Sequence, residues 1–225
     1  MSKLTDINSI INRINNGAVL MIGGFLGVGT PENIIDALVA KGVKNLTIIT
    51  NDTSFPGRGI SKLVAAKQIK KLIVSHIGTN PETGRQMNAG EIEVELVPQG
   101  TLAERIRAGG SGLGGILTPT GVGTIVEEGK KILEIDGKKY LLELPLKADV
   151  AFLKAYMADE EGNLVYHASA RNFNPIMAMA ADYVVAEVEH FHTAGNIPPD
   201  EVMTTGILVN SVIFEDSKDA MKGGA

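Results

Sequence analysis

Ala18-Val-Leu-Met-Ile-Gly-Gly-Phe-Leu-Gly-Val-Gly-Thr-Pro-Glu32 is the stretch whose reading decides how this chain folds. An apolar run, Ala18 to Ile22, reads as a strand and passes directly into four glycines within seven residues. Thr30 then stands where a helix N-cap belongs, with Pro31 at the first helical position, where its missing N–H is not needed. Ile34, Ile35, Leu38 and Val39 follow on one side of a helical period, and Gly42 is placed to end it. The reading is strand, glycine-rich turn, helix. Such a turn lets a ligand approach the main chain, and an anion can use N–H groups at the positive helix end. The spacing Gly24-x-x-Gly27-x-Gly29 is neither the dinucleotide fingerprint nor a P-loop, so a tight connection with no ligand stays open as well.

The pattern repeats outward from this turn. Ile7, Ile10, Ile11 and Ile14 form a helical stripe ahead of the first strand. Leu46–Thr50 is a β-branched strand running to Asn51-Asp52. Ser61–Ile69 reads as a helix and Leu72–Ser75 as a third strand. Ile92, Val94 and Leu96 alternate with Glu91, Glu93 and Glu95, as in a strand wetted on one face. Thr101-Leu-Ala-Glu104 has the form of a capping box, opening a helix that stops at Gly109. Asp136-Gly137 between two strand-like runs signals a hairpin inside a β-rich excursion near 116–145. The alternation resumes with Val150–Leu153, a helix near Pro175–Ala181, Tyr183–Val188 and Ile207–Phe214. The expected class is α/β, a mostly parallel open sheet flanked by helices, in one domain over 1–225 with a frayed tail at 216–225.

Ligands of such sheets gather at the carboxyl ends of the strands. The glycine turn, Asn51-Asp52, Ser75-His76 and Pro98-Gln99-Gly100 all fall at such ends and are expected to share one rim. A second glycine-dense stretch, Gly109–Gly115, suggests backbone packed against something large and flat or against another subunit.

Composition excludes several classes. The 225 residues carry a net charge of −5 without a Lys/Arg stripe, which argues against nucleic acid as a partner. With no cysteine there is no disulfide framework, thiol nucleophile or Cys-ligated zinc site, in keeping with a cytoplasmic setting. No apolar run approaches the ~20 residues that span a bilayer, and Met-Ser-Lys-Leu-Thr-Asp lacks a signal-peptide core. His190 and His192 share a strand face but are too few for a metal site. Asp52, Ser75 and His76 suggest a hydrolase, yet the G-x-S-x-G elbow is absent. His76 is either a base or a polar rim residue. Ser169-Ala-Arg-Asn-Phe-Asn-Pro175 orders a loop either at an interface or at the site. The rim is rich in glycine and amides and poor in anything that attacks, which looks like half of an active site.

On these residues the chain resembles the α subunits of the family I coenzyme A transferases. The likeness is carried by Gly23-Gly-Phe-Leu-Gly-Val-Gly-Thr-Pro31, Asn51-Asp52 and Ser75-His-Ile-Gly-Thr-Asn-Pro-Glu82. It continues through Pro98–Gly110, Thr118-Pro-Thr-Gly-Val-Gly-Thr124 and Ser169–Asn174. Within the family it is greatest to acetate- and acetoacetyl-type members; succinyl-CoA:3-oxoacid members carry Asn-Asn in place of Asn51-Asp52. The resemblance implies CoA transfer between an acyl-CoA, acetyl-CoA foremost, and a free short-chain acid. It implies a glutamyl-CoA thioester on a separate β subunit, in a hetero-oligomer such as α2β2, with no cofactor beyond CoA as substrate. It implies no nucleophile in this chain, CoA binding by Gly23, Gly24, Phe25, Leu26, Gly27, Val28 and Gly29, and supporting amides at Asn51 and Gln99. Within the family the alternative is a succinyl-CoA:3-oxoacid or butyrate-acetoacetate CoA-transferase α subunit, and the alternative of another class is a CoA- or nucleotide-binding regulatory module without catalysis.

Overall fold

The computed structural model describes residues 2–214. The first half alternates helix and strand. It runs α1 (Ile7–Ile11), β1 (Val19–Ile22), α2 (Glu32–Lys41), β2 (Leu46–Asp52) and α3 (Ile60–Ala65). It continues through β3 (Ile69–His76), α4 (Pro81–Asn88), β4 (Glu93–Leu96) and α5 (Gln99–Gly110). A small insertion follows: β5 (Ile116–Thr118), β6 (Ile132–Ile135) and β7 (Lys138–Glu143), antiparallel in the order β5-β7-β6. The main sheet then resumes with β8 (Ala148–Asp159), β9 (Leu164–Val165), α6 (Asn174–Met179), β10 (Ala181–His192) and β11 (Ser211–Phe214).

The main sheet has the order β11-β10-β8-β1-β2-β3-β4, all pairs parallel, with β9 antiparallel on the end of β8. Its two faces bury separate cores because strand side chains alternate. Leu20 and Ile22 of β1 face Ile34, Ile35 and Leu38 of α2 and Leu63 of α3, together with Phe152 of β8. Met21 faces the other way, into a core with Leu102 and Ile106 of α5 and Met177 of α6. From β1 the chain winds outward to β2, β3 and β4, and later returns to β1's other edge as β8. The order therefore reverses between β1 and β8, and a crevice opens outside their carboxyl ends.

The α/β class, the parallel sheet and the β-rich excursion match the sequence reading, and Asp136 and Gly137 form the hairpin turn with φ of 51° and 72°. Three local expectations are corrected. Pro31, not Thr30, is the cap residue of α2 and makes no side-chain cap bond, because Thr30 is turned inward against Gly24. The helix expected over Ser61–Ile69 stops at Ala65; Lys67 takes a left-handed turn (φ 52°) and Ile69 already begins β3. Thr101 caps nothing: Pro98, three residues earlier, is the cap residue of α5, which leaves the Thr101 hydroxyl inside the first turn, buried without a partner. In the second glycine stretch, Gly109 and Gly110 pack on this chain, whereas Gly112 and Gly114 face open space. A Cβ at Gly109 would lie 1.9 Å from the Leu146 carbonyl, and one at Gly110 would lie 2.4 Å from Met179 Cβ. The tail expected at 216–225 lies outside the described residues.

Candidate functional site

The turn after β1 is stitched on every side. Gly23 N–H donates to the Phe152 carbonyl, extending the β1–β8 pairing by one step. Phe25 and Val28 exchange both main-chain hydrogen bonds at 2.9 Å, so the loop is a two-residue hairpin with Leu26 and Gly27 at its tip. Leu26 sits at φ 51°, a left-handed conformation that a residue with a Cβ adopts only at a cost. Phe25 and Val28 are left 44% and 48% exposed.

The strand ends fix the loop. Asn51, 1% exposed at the end of β2, donates its amide N–H to the Gly24 carbonyl at 3.3 Å. Asp52, the next residue, accepts the Leu26 N–H at 2.9 Å on one oxygen and the Ser54 N–H at 2.6 Å on the other. The third strap comes from the other half of the chain. Asn172 accepts the Gly24 N–H at 3.2 Å and donates to the Val28 carbonyl at 3.0 Å. Asn174 donates to the Gly29 carbonyl at 3.0 Å and accepts the Lys154 N–H. The segment Ser169–Pro175 is thus the brace of the glycine loop. Close approach explains two of the glycines: a Cβ at Gly23 would stand 1.9 Å from Asn174 Oδ1, and one at Gly29 would stand 2.4 Å from the Ala170 carbonyl.

Gln99 opens α5 on the same rim. Its amide nitrogen donates to Asn51 Oδ1 at 2.5 Å, and its amide oxygen meets the Ser75 hydroxyl. Ser75 Oγ also donates to the Asn51 carbonyl at 2.7 Å. The four strand-end segments named from the sequence therefore do meet. Phe25, Asn51, Gln99, Ser169, Asn172 and Phe173 line an open hollow of about 370 Å³. On the loop's other side Gly27 and Gly29, with Lys154, Tyr156, His167 and Glu189, line a polar cavity of about 220 Å³. Within Gly23–Gly29, only the Gly27 and Gly29 N–H groups lack an acceptor among the described residues.

The positive end of α2, expected to favour an anion, faces a carboxylate of this chain. Glu187 of β10, 3% exposed, accepts the Ile34 N–H at 3.1 Å and lies 3.3 Å from Lys154 Nζ. Burial pushes its carboxyl above the usual range, against the pull of Lys154 and the helix N–H groups. Neither Glu187 nor Asn172 and Asn174 was assigned a contact from the sequence. Their partners lie 145–153 residues away, and no local pattern signals such pairs.

The remaining candidates separate. The Ser75 hydroxyl is committed to Asn51 and Gln99, so it is not poised against His76, which lies exposed over Gly78. His190 packs edge-on against Tyr156 at 4.7 Å. Among the described residues no group of three His, Cys, Asp or Glu side chains could hold a metal ion.

A parallel α/β sheet whose switch-point crevice is lined by a braced glycine loop and neutral amides defines a ligand-binding enzyme fold, and comparison gives it a family. The coenzyme A transferase profile matches residues 4–215, and the chain belongs to that family. It is 50% identical to the acetate CoA-transferase subunit alpha of Escherichia coli K12, over 96% of this chain and 99% of that one. It is 52% identical to the acetoacetyl-CoA:acetate/butyrate CoA transferase alpha subunit of Clostridium acetobutylicum, over 95% and 98%. An acyl-CoA transferase from E. coli O157:H7, solved as a thioester complex with CoA, shares the fold with a TM-score of 0.86 at 24% identity. That likeness covers 95% of this chain and 47% of the other, so the chain spans about half of that protein.

Proposed function

We propose that this chain is the α subunit of a short-chain acyl-CoA:carboxylate CoA-transferase, acting between acetyl-CoA and a free short-chain acid with a separately encoded β subunit. The observation that carries the reading is a rim of fixed, neutral donors with no nucleophile presented, in a chain that matches α subunits nearly end to end. A glutamate of the β subunit attacks the thioester carbonyl, giving an acyl-glutamyl anhydride and CoA thiolate. The thiolate then attacks the glutamyl carbonyl, expels the donor acid and leaves a glutamyl-CoA thioester. The acceptor carboxylate opens that thioester by the same two steps in reverse, giving the new acyl-CoA and the free glutamate. Each acyl exchange passes through a tetrahedral oxyanion, which is stabilised by donors already in place. Asn51 and Gln99 are such groups: they do not titrate, and they are locked to each other and to the strand ends. The free Gly27 and Gly29 N–H groups support the assignment of Gly23–Gly29 to CoA binding. CoA is a substrate, and the exchange calls for no metal or organic cofactor. The reaction proposed acts on dissolved metabolites in the cytoplasm; in the described residues no helix is long and apolar enough to cross a membrane.

The deciding experiment follows CoA exchange from acetyl-CoA to acetate, butyrate, propionate, acetoacetate and succinate, for this chain alone and mixed with its β subunit. Activity only in the mixture, trapped by hydroxylamine or borohydride on a glutamate of the β subunit, is the expected result. Exchange by the isolated chain, or none in a well-formed complex, defeats the reading. Preference for succinate over acetate overturns the acetate assignment alone.

A further inference from the structure

We propose that Asp52 is the positioning residue that sets the shape of the glycine loop, and through it the binding of acyl-CoA. The proposal rests on the CoA-transferase reading above. Two non-glycine residues beside the site, Leu26 (φ 51°) and Ser54 (φ 59°), hold left-handed conformations. Such residues persist only where the surroundings over-determine them. Here one carboxylate serves both. Asp52 is 3% exposed, and each of its oxygens takes the main-chain N–H of one of them. A buried carboxylate with two N–H donors is a strong, charge-assisted anchor, and losing it leaves the buried Ser54 N–H and the half-buried Leu26 N–H without an acceptor.

The consequence for the loop is specific. The Asp52 bond fixes the Leu26 amide toward the sheet, at the tip of the Phe25–Val28 hairpin. That leaves the next amide, Gly27, and then Gly29 as the donors without a partner. Asn51 and Asn172 hold the base of the hairpin at Gly24, whereas the tip itself has Asp52 as its side-chain anchor. With the anchor removed, Leu26 can leave its left-handed state, and the Gly27 amide turns with it. Loop geometry then becomes an ensemble, and binding weakens by the fraction of time the competent shape is lost. Chemistry at Asn51 and Gln99 is touched less, because their mutual bonds do not pass through Asp52.

The test uses the assembled complex with its β subunit. Asp52→Ala is expected to raise the KM for acyl-CoA by ~10-fold or more while the KM of the acceptor acid moves by no more than ~2-fold. Hydrogen exchange at the Leu26 amide quickens by ~10-fold or more. Asp52→Asn, whose amide keeps one acceptor oxygen, falls between, and it carries the same test if the alanine variant does not assemble. Adding Leu26→Gly to Asp52→Ala restores part of the acyl-CoA affinity, since glycine takes the left-handed φ without steric penalty but does not confine the loop to it. A purely structural role for Asp52 predicts no such rescue. Wild-type KM and loop exchange in Asp52→Ala, a loss confined to kcat, or a double variant no better than the single one each overturns the proposal. If the wild-type complex shows no CoA exchange, the CoA-transferase reading falls, and the hydrogen-exchange arm alone decides the role of Asp52 in the loop.

Discussion

Gly27 is the residue at which loop and ligand can be separated experimentally. Its φ is 88°, and a Cβ there would lie 3.4 Å from Ser54 Oγ, so a side chain fits sterically but strains the backbone. Gly27→Val therefore costs ~1–2 kcal/mol of stability and shifts Tm by a few degrees, while displacing the loop lowers exchange by ~10²-fold. Gly24→Val is a poorer probe, because its Cβ would stand 1.9 Å from Thr30 Oγ1 and fold and site would fail together. Gln99→Ala and Asn51→Ala remove amides that line the hollow. Each is expected to lower kcat by ~10²–10³-fold, read in single-turnover exchange. Thr101→Val tests a different kind of residue. Its hydroxyl is buried and unpartnered, so deleting it leaves stability unchanged or raises it by ~1 kcal/mol in a thermal melt.

At the scale of elements, pH distinguishes two sets of carboxylates. Glu187 joins β10 to the start of α2, and burial raises its carboxyl from the ordinary 4.5. The folded chain then binds a proton that the unfolded chain has released, so the stability linked to this group is present below 4.5 and is lost as pH rises through the raised value. The stability of Glu187→Gln relative to the native protein should therefore climb with pH above 4.5, measured by melts across that range. Glu82 of α4 and Glu91 behave oppositely. Hydrogen bonds from Arg85 hold both near 2, and their contribution fades only as pH falls from the ordinary 4.5 toward that value. Arg85→Gln should return both to the usual range in a carboxyl-carbon NMR titration.

The elements themselves were legible where a short-range pattern fixes them. β1, β2, the Asp136-Gly137 turn and the Gly42 stop each depend on residues within a few positions, and each stands where expected. The helix starts were not, because tertiary partners decided them. Thr30 turns inward and a carboxylate on β10 takes its place, while Pro98 advances α5 and strands Thr101 inside the first turn. The site was half legible for the same reason. Its strand-end residues follow from the rule for parallel sheets, whereas Asn172, Asn174 and Glu187 act across a separation no local pattern can encode.

For the whole molecule the position of β1 is decisive. It lies at the centre of the sheet, hydrogen-bonded to β2 on one side and β8 on the other, and it ends in the glycine loop. Leu20→Ala in this strand should cost ~2–5 kcal/mol, since the side chain is fully buried, and it should loosen the loop as well. Val94→Ala in the edge strand β4, half-buried, should cost less and leave exchange intact. Paired denaturant melts and activity assays check both. The same placement governs how the protein is made. β1 is synthesised well over a hundred residues before the strand that covers its second edge, which begins only at Ala148, and before the asparagines that brace its loop, which begin at Asn172. A nascent or truncated chain ending before β8 displays a bare central strand, and its need for chaperones should peak over that interval of translation.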